Sequence, residues 1–122
     1  MGGFFGVAGK SDIVGDLFYG TDYHSHLGTK RGGLAVGNGE SIVRYIHNIE
    51  NAQFRSKFGD DVGKLHGTRG IGVISDYEDQ PLLIRSHLGN FAIATVGVIK
   101  NIDELVARAF KAKCLHFSEM RG

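Results

Sequence analysis

An α+β domain, with helices packed outside a sheet-rich layer, is what this sequence predicts, and three observations predict it. Short apolar, β-branched runs recur between glycine-bearing turns. Two stretches instead repeat their apolar residues at three-and-four spacing, one near the front and one near the back. Glycine, ordinarily about 7% of a chain, supplies 19 of 122 residues against a single Pro81. It gathers at the ends of apolar runs, where tight turns or close backbone approach need it.

The elements follow in order. Gly3 to Val7 is apolar throughout and predicts a short strand buried on both faces. Ser11 is placed to cap a helix from about Asp12 to Ser25, whose stripe is Ile13, Val14, Leu17, Phe18 and Thr21. After "HLGTKRGG" breaks that pattern, "LAVG" and "ESIVRYIHNI" read as a hairpin across "GNGE". "ENAQFRSKFGDD" predicts a short helix, with Phe54 and Phe58 four apart and Gly59 as its stop. "RGIGVISD" is a strand whose internal glycines signal close backbone approach or a bulge. "PLLIRSHLGNFAIATVGVI" predicts a second hairpin around "LGN". The last helix has the N-x-x-E capping pattern of Asn101 and Glu104, then a stripe of Ile102, Leu105, Val106, Ala109 and Phe110.

The bulk composition excludes several classes. A length of 122 residues fits one domain, and 42% apolar with 22% charged residues is ordinary for a globular chain. The net charge of +1, with the signs interspersed, lacks the basic footprint of a nucleic-acid binder. No leader and no run of about 18 apolar residues is present, so neither export nor membrane spanning is expected. The single cysteine, Cys114, fits a reducing cytoplasm. His24 and His26 are two apart and have no cysteine or acidic cluster beside them, so no metal and no cofactor is expected. "GTKRGG" and "GNGES" lack the Lys-Ser/Thr ending of a phosphate loop and read as turns.

Five stretches in order resemble the class II glutamine amidotransferase domain found at the front of amidophosphoribosyltransferases of purine synthesis. "MGGFFGVAG" resembles its opening strand, and "HSHLGTKRGGLAV" its loop with Gln-His-Arg-Gly. "GTRGIGVISDY" is similar to the strand with Gly-His-x-Arg-Tyr, "SHLGNFAIAT" to the His-Asn-Gly-Asn segment, and "LHFSEM" to a later Thr-Asp-Ser-Glu motif. The resemblance covers roughly residues 2 to 120. It implies an N-terminal-nucleophile hydrolase-like αββα sandwich, here as a single partial domain over 1–122, because such domains continue well beyond Gly122.

The chemistry that the resemblance implies is hydrolysis of the glutamine side-chain amide. An N-terminal cysteine attacks with its own α-amino group as base. An Asn side chain and a Gly N–H hold the oxyanion. An Arg and an Asp grip the carboxylate and ammonium of the substrate. Carried over, the nucleophile's place falls on Gly2, the carboxylate-binding Arg on Ser75, the oxyanion Asn on Leu88 and the ammonium-binding Asp on Phe117. Val73 and Leu27 replace a motif His and a motif Arg, while His26, Gly28, His87, Gly89 and Asn90 are kept. No catalytic residue is intact. The expectation is a degenerate, inactive glutaminase module with a vestigial pocket at Gly2, His26, Ser75, Leu88, Gly89, Asn90 and Phe117. Its expected roles are binding, regulation or assembly, with a second phosphoribosyltransferase-like domain or another copy of itself as partner. Two alternatives stand beside it: a working part of an amidophosphoribosyltransferase-type enzyme, and a binder of a different small molecule.

Overall fold

The computed structural model describes residues 2–27, 30–39, 41–76 and 78–111. Gly28, Cys114 and Phe117, with the whole "LHFSEM" stretch, lie outside the described residues. The elements are β1 (Gly3–Ala8), α1 (Val14–Tyr23), β2 (Arg31–Gly37), β3 (Ile42–Asn48), α2 (Phe54–Val62), β4 (Arg69–Ser75), β5 (Leu82–Ser86), β6 (Gly89–Ile93) and α3 (Ile102–Lys111). No helix among the described residues is long and apolar enough to cross a membrane.

Four strands form one antiparallel sheet in the order β1-β4-β2-β3, and β5-β6 form a separate two-stranded ribbon. Alternation of side chains across a strand gives the large sheet two unlike faces. Leu34 and Val36 of β2 and Ile74 of β4 point to the inner face, where they meet Ile13, Val14, Leu17 and Phe18 of α1. Phe54 and Phe58 of α2 complete this core, stacked with ring centroids 4.4 Å apart. Their rings lie over Gly32, where a Cβ would come within 3.1 Å of Phe54. The outer face is lined by small residues and is only partly covered, by the segment at Gln80 and by the β5-β6 ribbon.

Several elements differ from their sequence readings. β1 alternates half-buried and exposed residues instead of being buried on both faces, and Phe4 is 60% exposed. Its edge position explains this: only its inner face, through Phe5 and Val7, reaches the core. α1 starts at Val14, and the side chain that receives its first N–H is Asp12 Oδ1 at 2.9 Å, so Ser11 does not cap it. α2 runs through Gly59 to Val62, because Gly59 lies on the solvent side and the core extends on to Val62 and Leu65. The β5-β6 turn is His87-Leu88, with Ser86 paired to Gly89. Gly89 takes φ +123°, which glycine adopts without strain. Ser86 Oγ donates to the Gly89 carbonyl at 2.8 Å and closes the turn.

Polar contacts fasten the helices to one another and to the sheet. Arg55 of α2 donates from Nε to Asp22 of α1 at 2.6 Å and lies over the Tyr19 ring. That carboxylate pushes the Arg55 guanidinium further up from its already high value. His47 of β3 bonds Asp61 of α2 and stands edge-on to Phe58. Thr21 is buried with its hydroxyl unpaired, because its side chain packs into the space that a side chain at Gly72 would take.

Two measurements check this core. Phe58→Ala removes a fully buried ring and is expected to cost about 3–5 kcal/mol in urea unfolding. Asp12 carries the second. The Val14 N–H, and secondly His66, hold its carboxyl below the ordinary aspartate range. A depressed value means that its contribution is whole above that range and vanishes as pH falls below it. Asp12→Ala is therefore expected to lower the thermal midpoint at neutral pH and to match the parent in strong acid.

Candidate functional site

The outer face of the sheet is organised in cross-strand rows. Val73 of β4 pairs with Gly33 of β2, and the Gln80-Pro81 segment, joined by a cis peptide, lies directly on that row. A Cβ on Gly33 would run into the Gln80 carbonyl, so only glycine admits this seating. On either side of the strap lies a cavity, one toward Gly2 and one toward Ala8 and Gly37.

The first cavity, of about 310 Å³, is walled by Gly2, Ser75, Asp76, Glu78, Gln80 and the loop Thr95–Val98. Gln80 builds it. Its side chain is 4% exposed, and its amide both accepts the Thr95 N–H at 2.7 Å and donates to the Thr95 carbonyl at 3.1 Å. The same amide nitrogen donates to Glu78 at 2.9 Å. These bonds satisfy a buried amide and hold the 95–98 loop against the start of β1.

The chemistry of the walls is narrow. Asp76 and Glu78 are the charged groups among them, and no Lys, Arg, His or thiol lines the cavity among the described residues. Ser75 Oγ donates to the Glu78 carbonyl at 2.6 Å, so its hydroxyl closes the local turn. Arg31 pairs across the sheet with Ser75, yet its guanidinium is engaged by Asp79 at 3.1 Å and by the Lys30 carbonyl at 3.2 Å. A Cβ at Gly2 would collide with the Ile74 carbonyl oxygen, so the head of the chain sits flush on β4.

Of the residues named from sequence, the structure brings Gly2 and Ser75 together in this cavity. It does not bring Leu88, Gly89 or Asn90 there. Leu88 is at the ribbon tip and 87% exposed, and Gly89 and Asn90 line the second cavity instead. The reason is the two-residue turn, which ends β5 at Ser86 and carries the 86–89 tip toward the Gly37 end of the sheet. His26 follows α1 in a short 3₁₀ turn, is exposed, and packs near Tyr23 with ring centroids 6.4 Å apart. It lines neither cavity. Phe117 lies outside the described residues.

Asp76, Glu78, Gln80 and Thr95–Val98 were missed in the sequence. Two signals mark them: the lone proline, which singles out Gln80-Pro81, and the glycine in "TVGV". Gln80→Ala is expected to free the loop at a cost of about 1–3 kcal/mol, seen as faster hydrogen exchange at the Thr95 amide.

With this geometry in place, the comparisons with known proteins agree with the resemblance. No protein-family profile matches the chain. The amidophosphoribosyltransferase of Methanocaldococcus jannaschii is 29% identical over 116 residues, covering 86% of this chain and 24% of that protein. A solved structure described as the allosteric regulatory enzyme of purine biosynthesis superposes with a TM-score of 0.79 at 24% identity, over 97% of this chain and 26% of that one. Glutamine phosphoribosylpyrophosphate amidotransferase from B. subtilis, complexed with ADP and GMP, gives 0.79 at 23% identity, over 98% and 27%. The chain therefore has the fold of the matching part of these proteins, and it spans about a quarter of their length.

Proposed function

We propose that this chain is a glutamine-amidotransferase-like module that does not hydrolyse glutamine and acts as a binding, regulatory or assembly part of an amidophosphoribosyltransferase-like protein. The observation that carries the reading is the cavity at Gly2 and Ser75, which holds two carboxylates and neither a thiol nor a cation among the described residues. Free glutamine would bring a carboxylate beside Asp76 and Glu78 and lose hydration with no guanidinium to replace it.

The cavity also favours a revised place for the oxyanion segment. "TVGV" at 95–98 has its glycine where the family's His-Asn-Gly-Asn has one, and it is this loop that reaches Gly2. The Asn position then falls on Val96 and not on Leu88. Valine donates no hydrogen bond, so the conclusion is the same under either placement. Loss of one oxyanion donor alone costs about 10²- to 10³-fold in rate, and loss of the nucleophile removes the covalent route.

Incubation with glutamine is expected to release no glutamate above buffer. A chloroketone analogue of glutamine is expected to leave the intact mass unchanged. Glutamate release or a stoichiometric adduct would overturn the reading. Gly2→Cys is expected to restore no activity and to lower the thermal midpoint, since a side chain there meets the Ile74 carbonyl.

The greater length of the relatives favours a second reading. In it, a phosphoribosyltransferase-like domain of a longer polypeptide uses free ammonia. Product formation with ammonia but not with glutamine would single it out.

A further inference from the structure

The second cavity is the larger, about 930 Å³, and neither Gly2 nor Ser75 lines it. Its floor is the outer face of the sheet, at the rows Gly6–Ile71–Ala35 and Ala8–Arg69–Gly37. Its roof is the β6 side of the ribbon, through Phe91 and Ala92. Stacked β layers lie about 10 Å apart when side chains from both fill the gap. Here the exposed floor residues Gly6 and Ala8 add little volume, so the space toward the ribbon stays open as a slot. Phe91, at 47% exposed, contributes an apolar face to it.

Among the described residues, one charge stands in that slot. Arg69 is the ionisable one among the described residues in its walls, and no carboxylate among them pairs with it. Bare Gly37 on the neighbouring strand gives its side chain room to lie across the sheet, with Nε 3.3 Å from where a Cβ of Gly37 would be. The Arg69 side chain thereby runs along the floor beside Gly37 and is exposed there. Ser41 and Asn90 add neutral polar groups to the lining.

The geometry points to this slot as a binding site for a flat, apolar monoanion, an aromatic carboxylate being the chemistry that fits. The ring system lies between the small-residue floor and Phe91, and the carboxylate meets Arg69 in fork geometry. A cavity of this size with one placed charge matches the usual make-up of small-ligand sites. A cation would meet Arg69 unfavourably, and a neutral ligand would forgo the one charged contact.

Calorimetric titration of the full chain with 2-naphthoate tests the site, with 2-naphthamide as the uncharged isostere. The acid is expected to bind saturably at one site, and the amide at least tenfold more weakly. Arg69→Gln is expected to weaken the acid at least tenfold and leave the amide unchanged, while Arg69→Lys recovers part of the loss. Gly6→Leu, which fills the exposed part of the floor, is expected to abolish binding of both with the circular dichroism unchanged. Equal binding of acid and amide by the parent, non-saturable uptake, or full acid affinity in Arg69→Gln would overturn the assignment. If Arg69→Gln fails to fold, the acid-against-amide comparison on the parent still decides. None of these outcomes bears on glutamine hydrolysis, which concerns the other cavity.

Discussion

The seating of Gln80 on Gly33 is the constraint from which the outer half of the molecule follows. A buried amide must find partners for its donors and its acceptor, and Gln80 finds them in Thr95 and Glu78. That requirement draws the 95–98 loop to the head of β1. It also fixes where the ribbon leaves the sheet, since the Pro81 carbonyl next along accepts from Arg44 of β3 at 3.1 Å. The two cavities are what remains on either side of this strap. They differ in character because they rest on different rows: among the described residues, the Gly2–Ser75 end carries acidic loop residues and the Ala8–Gly37 end carries one guanidinium.

The inner face obeys a simpler rule. Helices α1 and α2 lie on a sheet whose inward glycines at 32, 70 and 72 let side chains approach the backbone closely. Each of these glycines is matched by a bulky or branched partner: Phe54 over Gly32, Leu17 over Gly70, Thr21 over Gly72. Much of the chain's high glycine content is thus packing and not turn chemistry. The same small residues on the opposite face, at Gly6 and Gly37, leave room for something other than this chain's helices.

This division explains what was legible in the sequence. The apolar stripe of α1 and the Phe54/Phe58 pair mark the core, whereas the equally regular stripe of α3 buries no residue, because a 3.6-residue period marks an apolar face but not what covers it. Gly2 and Ser75, named from the motifs, line one cavity because β1, which follows Gly2, pairs with β4, which ends at Ser75. The burial of β1 was misread because a run of apolar residues does not say whether its strand lies at an edge. "HLGN" resembles the family motif, yet Leu88 stands at the ribbon tip, while "TVGV" lines the cavity at Gly2. The two-residue turn and the Gln80–Thr95 bonds set this arrangement. Such non-local hydrogen bonds leave no periodic trace.

The strand order has a consequence of its own. β1 lies beside β4 alone, pairing Gly3 with Ile74 and Ala8 with Arg69, so its partner comes roughly sixty to seventy residues later in the chain. During synthesis the β2-β3 hairpin can form early, but the opening strand must wait, its backbone groups unpaired, until β4 has emerged to lie between it and β2. Closure of this long loop is the step that turns a local hairpin into a sheet, and until then the apolar opening segment depends on α1 for shelter.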